Sequence, residues 1–205
     1  MAKKTARTTS IRRLTYTAVL IALILLLTFT PLGYPKLGPV EPTIMMIPVA
    51  IGAILLGPTY GAILGLTFGL SSFATCFGYS AFGVALFSIN PLATFVVCVL
   101  PRLLMGFLCG WIFRAVDSHG KHPLVASIVT SVSSALLNSV LFVSALLLFF
   151  RNVDLAGLNL NLGAMSVWQI ILTLFLFNSI AEVALCGVVG TILSRVLARF
   201  LRQSI

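Results

Sequence analysis

Charge is scarce in this chain, and acid is scarcest. Of 205 residues, 8% are charged and only four are Asp or Glu. Those four (Glu41, Asp117, Asp154 and Glu182) are scattered, which leaves little for general acid–base chemistry. Histidine is nearly absent. His119 and His122 share one short polar loop, and no Cys or Glu joins them at metal-ligand spacing. There is no H-E-x-x-H and no G-x-x-x-x-G-K-[ST], so neither a zinc protease nor an ATP site of its own is expected. Repeated rings of charge, which an ion filter would want, are also missing. The four cysteines (Cys76, Cys98, Cys109, Cys186) form no C-x-x-C pair and read as small buried hydrophobes. The expectation is a protein that is no enzyme and holds neither cofactor nor metal.

What is abundant is apolar surface. The chain is 60% hydrophobic with a mean hydropathy of +1.14, far from a soluble domain's composition. The reading is an all-α integral membrane protein with one domain, 1–205: a basic cytoplasmic segment at 1–13, then a bundle of six transmembrane helices over 14–201. The apolar segments are Leu14–Thr30, Thr43–Leu56, Tyr60–Phe73, Pro91–Val116, Pro123–Phe150 and Met165–Leu201. The second and third are short for a span of ~20 residues, and only Gly57-Pro58 separates them, so they are expected as a tight or partly re-entrant pair. The first follows MAKKTARTTSIRRL as a signal peptide's core would. No A-x-A site comes after it, however, and it is read as a retained span.

The formal charge of +9 does not point to nucleic acid, because the cations sit at segment ends without interleaved aromatics. They do set the orientation. With the N-terminus inside, ten Lys and Arg residues fall on inner segments, and only Lys36 and Arg151 on outer ones. Both termini are then cytoplasmic. The loops Pro31–Pro42, Ala74–Asn90 and Arg151–Gly163 face outward, longer and less charged, as covers over an outward-opening site would be.

Small residues mark the places where helices can approach. In GPTYGAILGLTFG, Gly57, Gly61, Gly65 and Gly69 recur every four residues and give three helical turns a groove without side chains. Such a groove suits packing within the chain or a seam for another subunit. In the first span, Ala18 and Ala22 repeat the spacing once.

A few polar groups interrupt the apolar runs. At ~1.5 Å per residue, Arg102 lies about 16 Å below the outer end of its segment, Asn178 about 15 Å below Trp168, and Glu182 about 21 Å. Asn178 and Glu182 are four apart and share a helix face. Ser127, Ser131, Ser134 and Asn138 form a stripe on the fifth segment, and Asn90 sits at the outer mouth of the fourth. Arg102 and Glu182 are opposite in sign and similar in depth. Two readings stand together: a structural ion pair between spans, or Arg102 binding an anionic ligand group while Glu182 orients it. Pro101 leaves the Val97 carbonyl without its helical donor, which allows a kink that widens a pocket.

This constellation resembles the substrate-binding S components of energy-coupling-factor (ECF) vitamin transporters, over nearly the whole chain. The resemblance rests on six spans with both ends inside, Ala18-x-x-x-Ala22, and the stretch GPVEPTIMMIPVAIGAILLGPTYGAILGLTFG. It implies a multi-pass protein of a prokaryotic cell membrane that captures a vitamin outside. Such a protein docks through Ala18 and Ala22 on a transmembrane coupling subunit bearing two ATPases, then topples in the bilayer to release its cargo. The stretches SINPLATFVVCVLPRLLMGF, SSALLNSVLFVSALLLFF and FNSIAE look most like S components assigned to pantothenate. That resemblance implies a substrate site of Arg102, Asn138, Asn178, Glu182, Asn90 and Ser134. The guanidinium would meet the carboxylate, and the asparagines the hydroxyls and amide. Riboflavin, with an aromatic slot from Tyr79, Phe82, Phe87 and Phe95, is the alternative vitamin. A membrane scaffold without a ligand is the alternative class.

Overall fold

A computed structural model describes residues 2–30, 43–117, 123–150, 154–155, 160–161, 182–183, 185–194 and 196. Six α-helices run in order: α1 (Ala2–Thr28), α2 (Met46–Leu56), α3 (Pro58–Thr75), α4 (Ala81–Ile89), α5 (Pro91–Val116) and α6 (Pro123–Phe150). A two-residue antiparallel pair follows, β1 (Asp154–Leu155) with β2 (Leu160–Asn161), and then a π-helical turn at Cys186–Gly190. Three of these helices carry stretches long and apolar enough to cross a membrane: Ile11–Thr28, Pro91–Val116 and Pro123–Phe150.

The short second segment is explained by burial. At 11 residues α2 is shorter than a usual span, and Met46 to Ile54 are all buried. It turns into α3 at Gly57, whose φ of +98° disfavours any residue with a side chain; Pro58 then starts α3 at a position where its missing N–H costs nothing.

The glycine groove is filled from within the chain. A Cβ on Gly61 would strike the Gly106 carbonyl, one on Gly65 the Arg102 carbonyl, and one on Gly69 the Val99 backbone. Thus α3 lies backbone against backbone along α5. Close approach replaces the hydrophobic effect as the driving force for helix association in lipid.

The first helix packs more lightly. Thr17, Leu20, Ile24 and Thr28 are buried on one narrow face, while Leu14, Val19, Leu26 and Phe29 are exposed. The buried face is pinned by Thr28, whose hydroxyl lies 2.8 Å from the Ile24 carbonyl and 3.0 Å from Ser71 Oγ on α3.

Three features depart from the sequence reading. Helix α1 runs unbroken through the basic segment, so the boundary near Leu14 is one of charge and not of structure. The segment Ala74–Asn90, expected as an outer loop, contains α4, whose Ser80 side chain caps it by accepting from the Gly83 N–H. The loop Arg151–Gly163 contains the β1–β2 pair.

Candidate ligand-binding site

Arg102 is 6% exposed, in the middle of α5. Proline at 101 has no N–H to give the Val97 carbonyl, and that carbonyl accepts a 2.8 Å bond from Arg102 Nη1 instead. The acceptor freed by one residue is used by the next. The guanidinium carbon lies 4.5 Å from the centre of the Phe142 ring on α6 and 5.6 Å from that of Phe68 on α3. These rings belong to different apolar clusters. Phe68 is part of the large core joining α1, α2, α3 and α5, and Phe142 packs on a smaller one of Leu86, Ala93, Val97, Val143, Leu146 and Phe150. The cation therefore sits at the seam between the two.

Its bonding is incomplete. Nε is buried with no hydrogen-bond partner. Nη1, on the Cδ side, is held by the Val97 carbonyl. The unpartnered Nε–H is one of the two parallel donors, with Nη2–H, by which a guanidinium takes a carboxylate bidentately.

Glu182 is 2% exposed. Its Oε1 accepts the Thr43 backbone N–H at 2.9 Å and its Oε2 lies 3.4 Å from the Ser139 hydroxyl on α6. Among the described residues Arg102 and Glu182 make no direct ion pair: each is bonded to other groups, so equal depth did not translate into contact. Asn138 is buried with its Oδ1 unpartnered. It lies one turn before Phe142, on the same face of α6.

The remaining expected residues fall as follows. Ser134 is buried and donates to the Ser131 carbonyl at 2.7 Å. Asn90 is exposed at the start of α5, where its Oδ1 accepts the Leu92 and Ala93 N–H groups at 3.1 Å. It caps the helix, twelve residues or roughly 18 Å from Arg102. Asn178, Trp168, His119 and His122 lie outside the described residues. Ala18 and Ala22 are exposed on α1, away from the Arg102 cluster. All four cysteines are free and buried, as expected.

The aromatic slot does not assemble. Phe87 and Phe95 pack on Phe73, Phe82 on Phe142, and Tyr79, 75% exposed, on Phe29. Sequence reasoning missed Ser139, Thr43, Phe142 and Phe68. Ser139 adjoins Asn138 and extends the polar stripe, which was a usable signal. A contact through the Thr43 backbone leaves no trace in residue type.

Residues 12–194 match the family model for the ECF transporter, substrate-specific component. Among curated proteins, the chain is 31% identical over 156 residues to the pantothenic acid transporter PanT of Lactococcus lactis, covering 69% of this chain and 76% of that one. It is 37% identical over 106 residues to the pantothenate transporter PanT of Leuconostoc mesenteroides, covering 49% of this chain and 50% of that one. Arg102 is thus a buried cation with an unpartnered Nε, set among apolar helices. The match over most of its length shows that this chain belongs to the substrate-specific components of the ECF transporters.

Proposed function

We propose that this chain is the pantothenate-binding subunit of an ECF-type importer, a single membrane domain of six spans with both termini in the cytoplasm of a prokaryotic cell. The observation that carries the ligand assignment is the buried, unpartnered Nε of Arg102. Pantothenate has a carboxylate for that edge, and an amide and hydroxyls for Asn138, Asn178 and the Glu182–Ser139 pair. The names of the two curated relatives support the same vitamin. Riboflavin is neutral and would leave the cation unmatched; Phe87 and Phe95 share Phe73, while Phe82 packs on Phe142 and Tyr79 on Phe29.

Docking on a transmembrane coupling subunit that carries two ATPases falls to the exposed Ala18 and Ala22. Small residues there let a partner helix come close. The test is uptake of radiolabelled pantothenate by cells that co-express this chain with a coupling module. Accumulation above cells lacking the chain is expected. Accumulation of riboflavin and not pantothenate would overturn the vitamin, and purified protein that binds no vitamin at all would favour the scaffold.

A further inference from the structure

We infer that Pro101 and Phe142 are positioning residues that set the orientation of the Arg102 guanidinium, and so determine the preference for an acid. The inference rests on the reading that Arg102 takes the ligand's carboxylate.

A long side chain at membrane depth has several rotamers open to it, and a freely turning guanidinium gives no fixed edge. Two contacts remove that freedom. The first is a point contact. In an unbroken helix the Val97 carbonyl would accept the N–H of residue 101, and within a bilayer no water replaces a missing donor. Proline removes that N–H, and Nη1 of Arg102 takes its place at 2.8 Å. The second contact is a plane. Phe142 lies 4.5 Å from the guanidinium carbon, and Phe68 lies farther, at 5.6 Å. A delocalised planar cation stacks on a ring face, which an ammonium does not do in the same directional way. With one nitrogen tied to the α5 backbone and a ring of α6 lying close to the guanidinium carbon, the donor left over is Nε, which is buried and unpartnered. Pro101 makes the acceptor, Phe142 sets the plane, and Arg102 alone touches the ligand.

The experiment measures binding of pantothenate and of its neutral alcohol analogue, in which CH2OH replaces the carboxylate, to purified full-length protein. The variants are Pro101→Ala, Phe142→Leu, Phe142→Tyr and Arg102→Met. Alanine at 101 restores the N–H that competes for the Val97 carbonyl. Pro101→Ala and Phe142→Leu should each weaken the acid by roughly 3- to 25-fold, the range expected for losing one desolvated cation–ring or charge-assisted contact, and the alcohol by less than about twofold. Phe142→Tyr keeps the ring and should stay within about threefold of native for both ligands. Should Pro101→Ala fail to fold, the Leu and Tyr pair at 142 carries the test unaided.

If Pro101→Ala and Phe142→Leu bind the acid like native protein, or weaken acid and alcohol alike, the positioning role is overturned while Arg102 keeps its own. If native protein does not prefer the acid, or Arg102→Met leaves that preference intact, the carboxylate reading of Arg102 fails first and the positioning role falls with it.

Discussion

Two stripes of small residues share one spacing and meet different fates. Gly61, Gly65 and Gly69 on α3 are covered by the backbone of α5, and Gly57 just before α3 by the Arg114 side chain, whereas Ala18 and Ala22 on α1 face outward beside exposed Val19 and Leu26. The spacing of four says only that something can come close. Residue type and surroundings say what. Glycine admits a neighbouring backbone and commits the surface to permanent packing; it brings α3 against the Arg102 carbonyl, one turn from Phe68. Alanine keeps a methyl group and suits a contact that forms and parts. One stripe is used up in packing α3 on α5, and the other stays open on α1, where the proposed partner would meet it.

The comparison breaks most completely at the glycines. Gly65→Leu should prevent folding, since overpacking a seam where backbones touch exceeds what side-chain shifts absorb. Loss of the monodisperse peak in detergent size exclusion checks it, and a native-like peak would mean that α3 and α5 can part cheaply. Next in size is Ala18→Trp with Ala22→Trp, which should abolish uptake yet leave the protein folded and pantothenate affinity within about twofold. Equal losses of binding and uptake would merge the two surfaces.

Smaller effects test the links between them. Glu182→Gln keeps an oxygen for the Thr43 N–H but turns an NH2 toward the Ser139 hydroxyl, which must then accept. A roughly tenfold loss of affinity, with a modest fall in the thermal midpoint, is expected for a weakened charge-assisted bond. A fall of about 3–5 kcal/mol in stability with affinity unchanged would instead make Glu182 purely structural. Smallest is Thr28→Val, which removes the α1–α3 bond to Ser71 and should cost about 1 kcal/mol without touching the glycine seam. Thermal unfolding in detergent measures it, and no change would leave α1 held by apolar packing alone.

How much of this was legible differs by residue. Helices α5 and α6 run over the same residues as the apolar segments Pro91–Val116 and Pro123–Phe150, because a proline opens each and the apolar character holds to the far end. The break at Gly57-Pro58 was equally plain. Helix α4 was not, since nine mostly apolar residues behind Ser80 carry too few turns for a period to show. At the site, the freed Val97 carbonyl could be read from Pro101 alone. That Arg102 itself would fill it could not, because sequence separates side chains that rotamers bring together. Phe142 was hidden for a related reason: an aromatic on an apolar helix looks the same whether it faces lipid or a cation.

The account turns on the unpartnered Nε of Arg102, and one titration tests it most directly: pantothenate and its neutral alcohol, each bound to purified native protein and to Arg102→Met. The native protein should prefer the acid strongly, and Arg102→Met should lose most of its affinity for the acid while binding the alcohol nearly as before. Equal losses for the two ligands would contradict the account and leave Arg102 as a brace between α5 and α6.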